Sequence, residues 1–283
     1  MPYELVIVGA GISGLTAAMA AREAGLTGVL LVEHEKNTGG TARLLRGSAE
    51  FREETSLLEA SAALPYEIWF QATVTGFLQG EAGEGHQLNI QTPTGTRIVE
   101  ASKVLLCSGS LEKPREARRI AGTRPAGIMT STMALNLVAR GYRPGERILV
   151  YDNGRIARAA AQRLVLSDAR VERLPGDRWE VLKVGGISRL NRVEAKDRLT
   201  GQPGTFDCDT LIYAEQRIPG TFYLKGSLVE RDREHAIRVD EQGRTNIENV
   251  YAAGACTDRG DDDHASSMAS ARAVIHSLWK GNG

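Results

Sequence analysis

Three glycines, Gly9, Gly11 and Gly14, stand in the order G-x-G-x-x-G within VIVGAGISGL, and Glu33 follows 19 residues after the third. Each residue type has a task beside a pyrophosphate. Gly9 permits a tight turn, Gly11 lets the backbone approach the phosphates, and Gly14 lets a helix pack closely on its strand. The N–H groups and positive dipole end of that helix then face the anion. Glu33 is placed to accept hydrogen bonds from an adenosine ribose.

A second turn of this kind is incomplete. In ILVYDNGRIARAAA only Gly154 and Ala157 remain of a G-x-G-x-x-A pattern, and Asp152 takes the place of its first glycine. A carboxylate there repels pyrophosphate, and the chain loses the φ freedom of glycine. The following VERLPGDRWEVLKVGG leaves no room for a further crossover helix and offers no basic pair for a 2′-phosphate. NADH and NADPH are therefore not expected to bind. Arg155 and Arg158 read as a solvated helix face or as a site for another anion.

Other chemistries lack their residues. The three cysteines, Cys107, Cys208 and Cys256, form no C-x-x-C pair, disulfide framework or zinc site. Cys107 lies in an apolar strand, Cys208 precedes an Asp, and Cys256 reads as small core filling. No G-x-S-x-G elbow is present, and the histidines at 34, 86, 235, 264 and 276 show no H-E-x-x-H spacing. The acidic run from Asp258 to His264 lacks the alternation of a calcium loop and reads as a solvated turn before a helix.

The elements needed to hold the first constellation can be traced by periodicity. Leu5 to Val8 reads as a buried strand, Ile12 to Glu23 as a helix and Val29 to Glu33 as a second strand, giving a parallel βαβ unit. From Glu67 to Ser110 the chain reads as a β-meander. A second unit follows Pro114 and Pro125, with a strand over Arg147–Tyr151, a helix over Arg155–Leu166 and a strand over Arg170–Leu174. Another meander leads to Pro219. NIENVYAAGACTD reads as a strand and glycine turn, and Ala265 to Lys280 as a closing helix. The two halves echo each other in this order of elements.

Composition narrows the setting. The 283 residues are 42% apolar and 25% charged, ordinary values for a globular protein of about two domains. Lys plus Arg and Asp plus Glu both number 35, so no net charge or basic run favours nucleic acid. The uncharged run from Leu5 to Ala21 is broken by glycines and reads as strand and helix rather than a membrane span. The scattered cysteines fit a reducing cytoplasm.

The GxGxxG turn, the NTGGTA turn at Asn37–Ala42 and the late VYAAGA segment together resemble FAD-binding flavoproteins with two dinucleotide-binding domains, the thioredoxin reductase class. That resemblance implies an α/β fold: a Rossmann-like FAD-binding domain, residues 1–112 and 220–283, with an inserted, shortened and degenerate NAD(P)-domain-like module at 113–219. It implies FAD as cofactor, with Gly9, Gly11, Ser13, Gly14, Glu33, Gly40 and Thr41 at the site. It also carries over Val74 near the adenine, Ser108 and Gly109 at the usual ATG positions, and Gly254 and Ala255 in the flavin-side turn, where Ala255 replaces a customary Asp. His264 is then the one acid/base group near that turn, and reads more readily as a surface histidine.

The stretch SKVLLCSGSLEKPREARRIAGTRPAGIMTSTMALNLVARGYRPGERILVY is similar to the FAD/NAD(P)-binding subunits of dye-linked proline, hydroxyproline and opine dehydrogenases and of hydrogen cyanide synthase. The implied protein is an FAD-dependent oxidoreductase component outside the dithiol/disulfide reductases. It would act as an electron-transfer subunit with an amine-oxidase-like partner on an amine or amino acid. A single-chain flavoenzyme and a nucleotide-bound scaffold are the alternatives. The apolar segment Gly127–Ala139 reads as a helix and as a contact surface for the partner.

Overall fold

The computed structural model describes residues 2–81, 83–261 and 263–280. The chain divides into two compact units: residues up to Leu111 together with those from Ile218 onward, and Glu112–Arg217 between them.

The first unit is built on a seven-stranded sheet. It begins with β1 (Tyr3–Val8), α1 (Ile12–Glu23), β2 (Val29–Val32), α2 (Arg52–Ala60) and β3 (Glu67–Trp69). A hairpin series follows: β4 (Thr73–Leu78), β5 (His86–Thr92) and the long β6 (Gly95–Leu106). β3, β2, β1 and β6 lie side by side and run parallel. β6 has two kinds of partner. Its first half pairs antiparallel with β5, and its last residues, Val104–Leu106, pair parallel with the distant strand Val250–Ala252.

Alternation along β1 shows why its sequence is apolar without a break. Leu5 and Ile7 enter the core that includes Leu15, Ala17, Ala18, Ala271 and Ile275, beneath α1 and the last helix, His264–Lys280. Val6 and Val8 enter a second core with Leu30, Leu88, Ile90 and Val104. A strand covered on both faces has no solvent side to pattern. α1 presents alanines to its neighbours, which lets it lie close, and it ends in a Schellman closure. Gly25 takes φ +80°, its N–H donates to the Arg22 carbonyl, and the Leu26 N–H donates to that of Ala21.

The meander is shorter than the sequence suggests. Gln71, at φ +51°, breaks the chain after Trp69, so Glu67–Trp69 joins the parallel sheet beside β2 and only β4 to β6 zigzag.

In the second unit, four parallel strands lie in the order Arg170–Pro175, Arg147–Asp152, Thr210–Ile212 and Ile128–Met129. The helices Ser131–Ala139 and Arg155–Val165 belong to this unit, and Ala134, Ala157, Ala161 and Leu164 pack with Ile148 and Val150. A second sheet carries Pro203–Asp207, Leu190–Asp197, Trp179–Gly186 and Ala121–Gly122.

The segment from Gly127 is not one helix. Ile128 and Met129 form a strand, and the helix starts after Thr130, whose side chain accepts from the Met133 N–H. Met129 packs in the core, so of the two methionines in this segment Met133, half exposed, is the one that faces solvent.

Candidate functional site

The parallel strands of the first unit end in a set of turns, and the sequence explains how tightly these are drawn. Gly9 takes φ +98°, and a Cβ there would meet the Cys107 carbonyl oxygen at 2.5 Å. At Gly14 a Cβ would lie 1.8 Å from the Gly9 carbonyl oxygen, so only glycine lets α1 start against β1. Gly11 is different: nothing stands within 4 Å of its would-be Cβ. Across from it is Gly40, whose would-be Cβ lies 3.4 Å from the Gly11 Cα, and the Gly39 N–H donates to the Ala10 carbonyl at 2.7 Å. Two bare backbone turns thus lie against each other at the N-terminus of α1, and Gly11 borders open space, the form a pyrophosphate requires. Thr41 follows in the short 3-10 turn Gly40–Leu45.

Glu33 is buried, only 2% exposed. Its carboxylate accepts from the Ala10 N–H and the Glu35 N–H, both at 2.8 Å, and His34 Nδ1 lies 3.0 Å away. Burial pulls its pKa up, but the hydrogen bonds from His34, Glu35 and Ala10 outweigh burial and hold it below the ordinary glutamate value. The result is an ionised acceptor fixed at the glycine turn.

A second cluster joins this turn to the last helix. Ser13, in the first turn of α1, lies against Gly254: a Cβ on Gly254, at φ +78°, would fall 2.0 Å from the Ser13 hydroxyl and 3.4 Å from that of Ser267. The Gly254 N–H donates to the Ser270 hydroxyl. Ala255 follows in the same turn. Ser108 and Gly109 leave β6 beside Gly9, and the Ser108 hydroxyl accepts from Tyr223 at 3.3 Å. The Val74 side chain lies in the core of the other sheet face, together with Val8 and Val32. Cys107 and Cys256 are fully enclosed, and burial raises both thiols, so neither is held as a thiolate.

Replacing Gly254 with Ala is expected to destabilise the fold through two separable causes, the left-handed φ, costing about 1–2 kcal/mol, and the collision with Ser13. In that background Ser13→Ala should recover part of the loss in urea melts. Equal melts for the single and double variants would rule the collision out.

His264 is not the free surface histidine expected from sequence. Its Nδ1 lies 2.9 Å from a carboxylate oxygen of Glu54, which is buried in α2, and its ring meets Phe51 edge-on. A carboxylate that fixes an imidazole in one orientation is suited to proton transfer. The partners are 210 positions apart, and no local pattern could have joined them. In the acidic run before it, Asp263 accepts from the Ala265 N–H, and Asp262 lies outside the described residues. Among the described residues no group of carboxylates, histidines and cysteines could hold a metal ion, and no helix is long and apolar enough to cross a membrane.

Fold and cradle together define a dinucleotide-binding protein with an interrupted Rossmann-like unit. Residues 4–56 match the family model of the FAD-binding domain, and residues 178–275 that of the pyridine nucleotide-disulphide oxidoreductases. The chain carries an FAD-binding domain, and its open glycine turns and ionised Glu33 fit that cofactor.

The structure is similar to thioredoxin reductase of T. acidophilum, with TM-score 0.73 at 20% identity over 99% of both chains. It is also similar to L-proline dehydrogenase of P. horikoshii, with TM-score 0.75 at 20% identity over all of this chain and 56% of that one. At such identity the likeness is one of fold.

In sequence, a mercuric reductase of Acidithiobacillus ferrooxidans is 27% identical over 157 residues, 55% of this chain and 28% of that protein. An opine oxidase subunit of Agrobacterium tumefaciens (strain Ach5) is 27% identical over 176 residues, 58% of this chain and 34% of that protein. The matches therefore span about a third or less of those two relatives.

These findings overturn one expectation. The sequence motifs set the chain outside the dithiol/disulfide reductases, yet the matched family model is that of the pyridine nucleotide-disulphide oxidoreductases, and thioredoxin and mercuric reductases stand among the similar proteins. The lack of a C-x-x-C pair is too narrow a ground, because it tests one spacing of thiols and not kinship with the group.

Proposed function

We propose that this chain is the FAD-binding electron-transfer component of an amine or amino-acid dehydrogenase complex. The observation that carries the reading is the likeness to the opine oxidase protein over 58% of the chain, and the fold shared with L-proline dehydrogenase supports it. Bound FAD supplies an acceptor for an electron pair. The chain's own part is to hold that cofactor: bare turns at Gly11 and Gly40 for the pyrophosphate, Glu33 for the ribose, and the head of the last helix to favour negative charge. The oxidised C–N bond would belong to an amine-oxidase-like partner, with Met133 on the exposed face of its helix as one point of contact.

Purifying the tagged chain from its native host and weighing it under gentle conditions tests this. The expected result is a defined complex with an amine-oxidase-like protein that reduces a dye when given an amine or amino acid, while the isolated chain does not. A monomer or homodimer that oxidises a small molecule unaided would overturn the reading. That outcome would favour a single-chain flavoenzyme, for which the Glu54–His264 pair is the specific support.

A further inference from the structure

The pyridine nucleotide that the matched family model implies can be tested against the second unit, because the first unit supplies an internal standard. In the first unit Val8 pairs with Val32, so the residue after β1 is Gly9 and the residue after β2 is Glu33. The first position of the turn is bare and the ribose position carries a carboxylate. In the second unit the equivalent strands pair Tyr151 with Leu174 and Asp152 with Pro175. There the first position of the turn carries a carboxylate, and the ribose position is a proline with no side-chain acceptor. The two roles are inverted.

The Asp152 side chain is not turned to solvent, being 8% exposed. One carboxylate oxygen accepts from Nε of Arg173 at 3.1 Å and also from its Nη2. The other lies 3.6 Å from Nη1 of Arg158 and is buried without a hydrogen-bond donor. Two cations, Arg158 on the helix Arg155–Val165 and Arg173 on the strand Arg170–Pro175, are therefore engaged by the chain's own anion. Gly154, at φ +134°, still leaves open space at the helix N-terminus, and two residues before it stands the Asp152 carboxylate, whose charge opposes an entering phosphate. Beyond Pro175 the chain turns at Gly176 directly into the strand Trp179–Gly186, with no second crossover helix.

We infer that the second unit does not accept NADH or NADPH, and that Asp152 is the residue that excludes them by placing a carboxylate, tied to Arg158 and Arg173, at the first position of the glycine turn that receives the phosphates. Asp152 is a specificity residue, and the inference stands whether or not the chain works within a larger complex. Removing its charge frees both arginines, and Arg173, near the end of the second strand, is then placed for a 2′-phosphate.

The test is equilibrium binding of NADH and NADPH to the full FAD-loaded chain, followed by calorimetry. Wild type should show no saturable binding up to about 1 mM of either nucleotide. Asp152→Gly should bind NADPH at least about tenfold more tightly than wild type and prefer it to NADH. Asp152→Asn, which keeps the side-chain shape, should gain in the same direction by less, and it serves if the glycine variant does not fold. Unchanged flavin content and far-UV circular dichroism would show that each variant is intact. Saturable binding of either nucleotide by wild type overturns the inference. So does a folded, charge-free variant that gains nothing.

Discussion

Gly11→Val is expected to leave the fold intact and to abolish FAD binding, weakening it at least about 100-fold, or about 2.7 kcal/mol. The two effects separate because of what surrounds the residue. Gly11 has φ −77° and ψ −164°, ordinary for valine, and no atom lies within 4 Å of the added Cβ, so the branch point of the side chain is accommodated in the protein without cofactor. The same open space is where the pyrophosphate must come, and the branched side chain there holds it away. Gly14→Ala is the contrast. Its Cβ would strike the Gly9 carbonyl oxygen, backbone against backbone, and should lower stability by at least the cost of overpacking, about 1–3 kcal/mol. Flavin absorbance after purification and thermal melts of the cofactor-free proteins distinguish the pair. Stoichiometric FAD in the Gly11→Val protein would mean that the cradle is misplaced.

The second large effect belongs to Glu33. Its removal as Glu33→Ala leaves the N–H groups of Ala10 and Glu35 without their acceptor, and since the Ala10 donor is buried and the Glu35 donor part-buried, a loss of at least about 1–3 kcal/mol is expected together with weakened FAD binding. The same group makes a pH dependence with a definite sign. Glu33 titrates below its ordinary 4.5, so its contribution is complete above that value and is lost as pH falls through the lowered folded pKa. The hydrogen bond to Glu33 raises His34 above its ordinary 6.5, so the histidine's contribution is complete below 6.5 and fades as pH rises through the raised pKa. The pair therefore stabilises most between 4.5 and 6.5. Melts of wild type and Glu33→Gln across that window should differ most inside it, and a constant difference at every pH would refute the coupling.

What can be read from sequence is what neighbouring residues decide among themselves. The helix Ile12–Glu23 has the bounds expected, because a glycine turn starts it and Gly25 stops it within one short stretch. The segment at Ile128 departs from expectation because a short apolar run fits strand and helix alike, although Thr130 is a cap that marks the boundary. Other features depend on partners brought in by the fold. That Asp152 is neutralised by Arg173 follows from the alignment of two parallel strands, and the Glu54–His264 pair from two helices far apart in the chain.

The double pairing of β6 bears on how the protein is made. Its last residues await Val250–Ala252, some 146 positions further on, so the sheet that carries the glycine turn stays unfinished while the whole second unit is synthesised. Pairings of such long sequence separation form slowly, and during translation the end of β6 offers unsatisfied backbone groups to other chains. The intervening unit, with its own cores, can close in that interval. A ribosome stalled before residue 250 therefore carries a finished second module and an open first sheet. It is at that stage of synthesis that the chain most needs a chaperone.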